Sequence, residues 1–280
     1  MVSKYRTFVE AWTALKTMPA LYTCFRLLLG YAALCVVIGL LYRKVLFPSP
    51  SDPTVPEGLR HVRFDSSDGV PVHCAYLPPA EGGALIVHFH GNGETLASTW
   101  IPKILEGTGI GVLLVEFRGY GLSHDVPMSE DGLYRDGEAA VRWAASQGID
   151  TSRIILMGQS LGSGVAVELA ARGLAKKLFL VTPYTSIPEV GSHFLPIFPM
   201  RAIMRERFDS LAKIKRLPHP LMAAVIHGTR DRLIPYAMGK AVAEALGANL
   251  ITVKDGEHNN LPGVAHDSIR AALLELAARS

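Results

Sequence analysis

The chain has 280 residues, 49% of them hydrophobic, and a formal net charge of +3 at pH 7. This length allows one large domain or two small ones, and the absence of Lys/Arg runs argues against a nucleic-acid-binding protein. Three cysteines without a CxxC pair provide no plausible disulfide framework.

The first distinctive element is an apolar segment near the start of the chain. Leu27–Tyr42 reads LLLGYAALCVVIGLLY and carries no charge, with Arg26 before it and Arg43-Lys44 after it. Long basic side chains can extend from such a segment to the lipid head groups. We therefore predict a retained single-pass transmembrane anchor over residues 27–47, whose orientation the nearly equal basic flanks leave open. A buried core helix is the alternative.

The segments on either side of the anchor differ in character. In residues 1–26, apolar side chains recur at helical spacing among basic residues. This pattern suits an amphipathic helix, either at the membrane interface or packed on the domain. Residues 48–56 (PSPSDPTVP) contain four prolines and are predicted to form a linker. A globular domain follows over residues 57–280.

The domain alternates short apolar runs with helical stretches. Leu59–Phe64 and Val70–Tyr76 are predicted to form an antiparallel pair. Six continuous apolar runs follow, as expected for parallel strands buried on both faces. They are Ala84–His90, Gly111–Phe117, Ile154–Met157, Lys177–Val181, Leu221–His227 and Leu250–Val253. Four helices are predicted, at Asp131–Gln147, Gly164–Arg172, Ala237–Leu246 and His266–Ala278. The fold class is therefore α/β, with an eight-stranded, mostly parallel sheet flanked by helices.

A serine between two glycines stands where the fifth predicted strand ends. Gly158–Gly162 reads GQSLG, a G-x-S-x-G pattern at a strand-to-helix turn. Such a turn is strained and crowded, so glycines are needed beside the serine, whose hydroxyl is raised above the sheet. Ser160 is therefore a candidate nucleophile.

A serine hydroxyl needs a base, and the base needs an acid that orients it. Asp231 follows the seventh predicted strand in HGTRDRLIP, and His258 follows the eighth in DGEHNNL. Both lie at the carboxyl edge of the sheet, where open α/β sheets carry their sites. Asp231 as a helix cap and His258 as a plain loop histidine are the structural alternatives. His266 and His90 are rival bases, although His266 is predicted to begin the last helix and His90 to support a loop.

Two backbone amides are candidate donors to an oxyanion. The N–H of Leu161 follows the serine at a helix N-terminus, and that of Asn92 lies in the glycine-rich loop HFHGNGE. No metal-ligand spacing or Walker A motif is present, and the glycines at 107–111 precede a strand rather than open a helix. We therefore expect neither a metal nor a cofactor.

In these motifs the chain resembles the α/β-hydrolase superfamily, and more narrowly its membrane-anchored serine hydrolases of the α/β-hydrolase-domain group. The resemblance covers about residues 60–280. It is carried by HFHGNGE, EFRGYGLSHD, GQSLGSGVAVELA, HGTRDRLIP and DGEHNNL. It implies an α/β-hydrolase fold with Ser160 as nucleophile, His258 as base and Asp231 as acid. It also implies hydrolysis of esters or thioesters, and in some members of peptides.

An apolar segment at residues 185–209 occupies the place where this fold inserts its lid. A short apolar lid near a membrane anchor suits an acyl or lipid substrate, although ordinary packing explains the same residues equally well. The expected partners are a small acyl or lipid substrate and a membrane. Two alternatives stay open. The first is a catalytically silent membrane scaffold. The second is a peptidase that binds a free amino terminus through Glu189 or Glu206.

Overall fold

A computed structural model describes residues 18–218 and 221–279. Its centre is an eight-stranded sheet with the order β1-β2-β4-β3-β5-β6-β7-β8. Only β2 runs against its neighbours, β1 and β4, and every other pair is parallel. The strands are β1 (Arg60–Asp65), β2 (Pro71–Leu77), β3 (Leu85–Phe89), β4 (Gly111–Val115), β5 (Ile154–Gln159), β6 (Lys177–Val181), β7 (Met222–Gly228) and β8 (Asn249–Val253). The predicted eight-stranded, mostly parallel α/β architecture is confirmed.

Helices connect the strands and cover both faces of the sheet. They are α1 (Pro19–Leu46), α2 (Ile101–Leu105), α3 (Glu130–Ser146), α4 (Leu161–Ala171), α5 (Ile187–Phe194), α6 (Met200–Ile203), α7 (Ser210–Ile214), α8 (Tyr236–Leu246), α9 (Leu261–Val264) and α10 (His266–Ala278). Alternate residues of β3 enter different cores, as the two-residue period of a strand requires. Val87 belongs to the core that also contains side chains of α3, α4 and α8, whereas Ile86 belongs to the second core, which contains side chains of α2 and α10.

The four central strands, β3 to β6, are buried along their whole length. Helices on both faces leave no solvated side, which is why these strands are continuous apolar runs rather than alternating ones. The carboxyl ends of the parallel strands therefore meet at one rigid edge, and the connections that leave this edge carry the candidate site.

Helix α1 is a long apolar element outside this core. Its most apolar window has a mean hydropathy of 2.2, and none of that window is buried, so α1 is long and apolar enough to cross a membrane. It begins at Pro19, inside the predicted amphipathic region, of which residues 1–17 lie outside the described residues. Its last turn contacts the domain, where Tyr42 is buried.

The segment after α1 has neither helix nor strand through Pro56, and it lies against the domain. The amide of Gly121 donates a hydrogen bond of 2.8 Å to the carbonyl of Pro50. Between β6 and β7, the predicted lid contains α5 and α6. The predicted linker thus contacts the loop after β4, and the predicted lid follows β6. Both segments lie at the edge of the sheet where the parallel strands end.

Candidate active site

Ser160 occupies a strained turn between β5 and α4. Its backbone has φ 49° and ψ −119°, a conformation that costs a non-glycine residue about 1–3 kcal/mol. A Cβ on Gly158 would lie 2.4 Å from the carbonyl oxygen of Gly162. A Cβ on Gly162 would lie 2.1 Å from the carbonyl oxygen of Phe89 at the end of β3. Both glycines are therefore required by close backbone approach.

The structure brings Ser160, His258 and Asp231 together. The Ser160 Oγ lies 3.0 Å from His258 Nε2, and His258 Nδ1 lies 2.7 Å from Asp231 Oδ2. Ser160 is buried, and the His258 side chain is 11% exposed. One ring nitrogen thus faces the hydroxyl and the other the carboxylate, which is the arrangement a general base needs.

The Asp231 carboxylate is held by several donors. Its Oδ1 accepts hydrogen bonds from the amides of Leu233 (2.9 Å) and Ile234 (2.8 Å), so it closes the turn after β7. Helix α8 begins only at Tyr236, and Asp231 does not cap it. Burial acts to raise the pKa of this carboxyl, but the bonds from His227 and His258 and the amide of Ile234 outweigh it, and the net pKa is lowered. The carboxylate is therefore charged at neutral pH.

His227, at the end of β7, is a positioning residue that the sequence did not reveal. Its Nε2 lies 2.9 Å from the carbonyl oxygen of Ile234 and 3.3 Å from Asp231 Oδ2, and its ring is fully buried. Gly228 contributes in another way, because a Cβ there would lie 2.2 Å from the carbonyl oxygen of Gly256. This contact lets the loops that carry Asp231 and His258 approach each other.

The two candidate oxyanion donors face the same cavity as Ser160. Leu161 is the first residue of α4, so its N–H has no partner within the helix. Asn92 lies across the cavity in the loop after β3, here called the oxyanion loop (residues 90–94). Its side chain accepts a hydrogen bond from the Tyr120 hydroxyl (2.9 Å) and donates one to the carbonyl of Val45 (3.2 Å). The oxyanion loop is therefore tied to the end of α1.

Gln159 links the serine turn to the oxyanion loop. Its amide nitrogen donates to Glu94 (2.8 Å), whose other carboxylate oxygen accepts from the Gly91 amide (2.9 Å). Trp100 Nε1 in turn donates to the Gln159 carbonyl oxygen (2.9 Å). The residue before the serine thus fixes the loop that holds Asn92. The sequence placed Gln159 in the turn but contained no sign of this role.

The other charged candidates have structural roles. Arg118 is buried and paired with Asp136 (2.5 Å) and Asp68 (2.9 Å), so it anchors the surrounding loops through ion pairs. His266 begins α10 as predicted and contacts Asp267. His90 contacts the Gly91 carbonyl (2.8 Å) within the oxyanion loop. Within residues 18–218 and 221–279, no three His, Cys, Asp or Glu side chains cluster where a metal could bind.

A largely apolar cavity of about 300 Å³ lies over the serine. Its apolar walls are the last turn of α1, the lid and the turn after Asp231, and the serine turn and the oxyanion loop form the rest of its lining. The lining residues are Tyr42, Val45, Leu46, Asn92, Ser160, Leu161, Tyr184, Ile187, Val190, Gly191, Phe194, Met200, Met204, Leu233 and Ile234. Its volume is at the lower end of the range for small-molecule sites. The part played by α1 was not foreseen, because a membrane anchor joined by a proline-rich linker gives no sign of contacting the site.

Comparison with known proteins identifies the family. A family model described as "Alpha/beta hydrolase family" matches residues 86–213. An uncharacterized protein of Mycobacterium tuberculosis is 33% identical over 249 residues, covering 84% of this chain and 88% of that protein. A protein of Acanthamoeba polyphaga mimivirus whose name includes "alpha/beta hydrolase" is 30% identical over 188 residues, covering 66% of this chain and 67% of that protein. The chain belongs to the alpha/beta hydrolase family.

Solved structures with the same fold include esterases. An esterase of Pyrococcus furiosus superposes with a TM-score of 0.66 at 16% identity, covering 81% of this chain and 97% of that one. Est1E from Butyrivibrio proteoclasticus gives a TM-score of 0.63 at 19% identity, covering 78% and 99%. An acylaminoacyl peptidase gives 0.59 at 17% identity, covering 79% of this chain and 41% of that one. At these identities the likeness establishes the fold.

Proposed function

We propose that this protein is a membrane-anchored serine hydrolase that cleaves carboxylic ester or thioester bonds of acyl or lipid-like substrates. The observation that carries the proposal is the chain of contacts from Ser160 through His258 to Asp231, at the base of an apolar cavity. No cofactor is needed for this chemistry.

In the first half of the reaction, His258 Nε2 takes the Ser160 proton as Oγ bonds to the acyl carbon. The carbonyl oxygen becomes an oxyanion that accepts hydrogen bonds from the amides of Leu161 and Asn92. The charged Asp231 stabilises the imidazolium. When the tetrahedral intermediate collapses, the bond to the alcohol or thiol breaks, and His258 gives its proton to that leaving group. An acyl-enzyme remains.

In the second half, water attacks the acyl-enzyme. His258 removes a proton from the water as its oxygen bonds to the acyl carbon, and the same two amides hold the second oxyanion. The bond to Ser160 Oγ then breaks, and His258 returns the proton to the serine. The products are a carboxylic acid and the free enzyme, so electrons and atoms balance without a further reactant.

The lining of the cavity favours an acyl substrate over a peptide. A peptidase of the kind considered would use a free acidic group in the lid, yet Glu206 is buried and bonded to Tyr42 and Arg43. Glu189 is paired with Thr185 and Arg201. Neither carboxylate lines the cavity, and the largely apolar lining is suited to hydrocarbon.

The exposed apolar surface of α1 supports a retained anchor. A core helix would bury its most apolar window, whereas none of this window is buried. A cleaved leader would leave with Tyr42, Val45 and Leu46, which line the cavity. We therefore propose that α1 spans the bilayer and stays attached to the enzyme.

A substrate panel tests the proposed function. The full-length protein in detergent is assayed against p-nitrophenyl acyl esters and aminoacyl anilides, with Ser160→Ala as the matched control. We expect ester hydrolysis that Ser160→Ala lowers by about 10⁶-fold or to background. A preference for anilides would replace the esterase proposal with a peptidase, and hydrolysis unaffected by Ser160→Ala would remove the serine mechanism altogether.

A further inference from the structure

The tip of the lid lies beside the middle of the apolar helix α1. This lid tip (Phe194–Phe198) begins at the last residue of α5, and its Ile197 carbonyl accepts a hydrogen bond of 2.6 Å from the Tyr31 hydroxyl. The rings of Tyr31 and Phe198 stack with their centroids 5.4 Å apart. Nearer the domain, a Cβ on Gly39 would lie 3.6 Å from Ile203 of α6. The lid therefore runs alongside the segment proposed to span the membrane.

The lid tip is apolar and exposed. Phe194 is 53% exposed and Ile197 is 73% exposed. Phe194 lines the cavity together with the exposed Val45 of α1, and Ile197 lies beside Tyr31 of the same helix. Scattered apolar side chains on a surface are ordinary, but a contiguous patch marks an interaction site. Here the patch lies beside a helix with the length and composition of a membrane span. The partner that covers the patch is therefore the hydrocarbon of the bilayer.

Buried polar contacts fix the relative position of α1 and the lid. Tyr42 donates a hydrogen bond of 2.5 Å to Glu206, just beyond the lid helix α6, and accepts one of 3.0 Å from the Arg205 amide. Arg43 forms an ion pair with Glu206 and donates to the Met128 carbonyl (2.7 Å). Because the Glu206 carboxylate is buried, removing the side chains that bond to it would be strongly destabilising, so α1 is held rather than loosely tethered.

The depth of the lid tip follows from the rise of a helix. Tyr31 precedes Tyr42 by eleven positions, which is about 16 Å along the helix axis. The hydrocarbon core of a bilayer is about 30 Å thick, so one leaflet contributes about half of that. With Arg43 and Lys44 at the head groups, Tyr31 lies near the bilayer midplane, and the lid tip beside it is deep in the hydrocarbon.

We propose that the lid tip inserts into the leaflet beside α1 and that the cavity above Ser160 receives the acyl chain of a lipid from that leaflet. Phe194 connects the two regions, because it lines the cavity and is also exposed at the lid tip. Tyr42, Val45 and Leu46 make the end of the anchor one wall of the acyl site. This inference rests on the proposed function and specifies its substrate as a bilayer-resident acyl ester.

Insertion is tested first without any assay of activity. Ile197→Trp keeps the lid tip apolar, and the protein is reconstituted in phosphatidylcholine vesicles with or without bromine on the acyl chains. The matched control is Leu274→Trp on α10, an exposed apolar position of the domain. After subtraction of the three native tryptophans, we expect brominated lipid to quench residue 197 and aqueous iodide to leave it unaffected, with the reverse for residue 274. Quenching of residue 197 by iodide would overturn the proposal.

Delivery of substrate is tested with Ile197→Asp and Leu274→Asp. A fluorogenic long-chain ester dissolved in the vesicles is compared with water-soluble p-nitrophenyl butyrate. A carboxylate is costly in hydrocarbon, so we expect Ile197→Asp to lower hydrolysis of the bilayer ester by about tenfold or more and to spare the soluble ester. Leu274→Asp should spare both. An equal loss on both substrates, or no loss on either, would contradict the proposal.

These experiments distinguish failure of the proposed hydrolase activity from failure of the proposed insertion of the lid tip. If residue 197 is buried in lipid but neither ester is hydrolysed and Ser160 does not react, the proposed function is wrong and insertion stands. If the soluble ester is hydrolysed through Ser160 but residue 197 faces water, the proposed function is supported and the proposed acyl site facing the membrane is wrong.

Discussion

Substituting Gly162 with alanine should separate the nucleophile from the oxyanion loop. The new Cβ would lie 2.1 Å from the Phe89 carbonyl oxygen, whereas ordinary contact begins at 3.4 Å, so the two backbones must part by about 1.3 Å. Phe89 ends β3 immediately before the oxyanion loop, and Gly162 directly follows Leu161. The two oxyanion donors would therefore move apart by a similar amount.

A displacement near 1 Å at reacting groups can cost about 10²-fold in rate, and overpacking costs about 1–3 kcal/mol of stability. We therefore expect Gly162→Ala to lower kcat/KM for a p-nitrophenyl ester by about a hundredfold and to lower Tm. Gly263→Ala is the matched control, since a Cβ at Gly263 meets no atom within 4 Å. A Gly162→Ala enzyme with wild-type kinetics and Tm would refute the close apposition of α4 and β3.

Three further predictions concern the groups around the serine. Asp231→Asn should lower kcat by about 10⁴-fold, because it removes the charge that orients and stabilises the His258 imidazolium; a decrease of less than tenfold in steady-state assays would contradict this role. Gln159→Leu should lower kcat by about tenfold with little change in KM, because it frees the oxyanion loop. This decrease is smaller than the one expected when an oxyanion donor itself is removed. A change confined to KM would indicate that Gln159 contacts the substrate instead. The hydrogen bond from Arg118 lowers the pKa of Asp68 to about 2. Because that pKa is lowered on folding, the stability it contributes is complete above the unfolded pKa near 3.8 and disappears as pH falls through about 2. Urea unfolding of Asp68→Asn between pH 5 and pH 2 should therefore show a weaker pH dependence than wild type, and parallel curves would contradict it.

The strands and the chain order of the site residues could be predicted because local patterns determine them. Burial on both faces makes the central strands continuous apolar runs, and β6 lies at the predicted Lys177–Val181. The turn at Ser160 could be predicted for a similar reason, because a strand-to-helix turn this tight needs glycines within a few residues of the serine. In the structure the crowding at these glycines comes from β3 and from the first turn of α4.

The supporting contacts could not be predicted, because they join residues far apart in the chain. Gln159 reaches Glu94 across 65 positions, and Tyr42 reaches Glu206 across 164. No periodicity or spacing encodes such pairs. The same applies to the wall that α1 contributes to the cavity, because the proline-rich segment suggested a separation between anchor and domain. These long-range contacts bring the serine turn, the segment with α5 and α6, and helix α1 together around one cavity.

The central claim is that Ser160 Oγ, activated by His258, is the atom that attacks the substrate carbonyl. Covalent titration tests it most directly: the full-length protein is treated with a fluorophosphonate, digested, and analysed by mass spectrometry. We expect one stoichiometric phosphonyl adduct on the peptide containing Ser160, absent in Ser160→Ala and formed much more slowly in His258→Ala. Ester hydrolysis by a protein whose Ser160 stays unmodified, or an inactivating adduct on another residue, would contradict it.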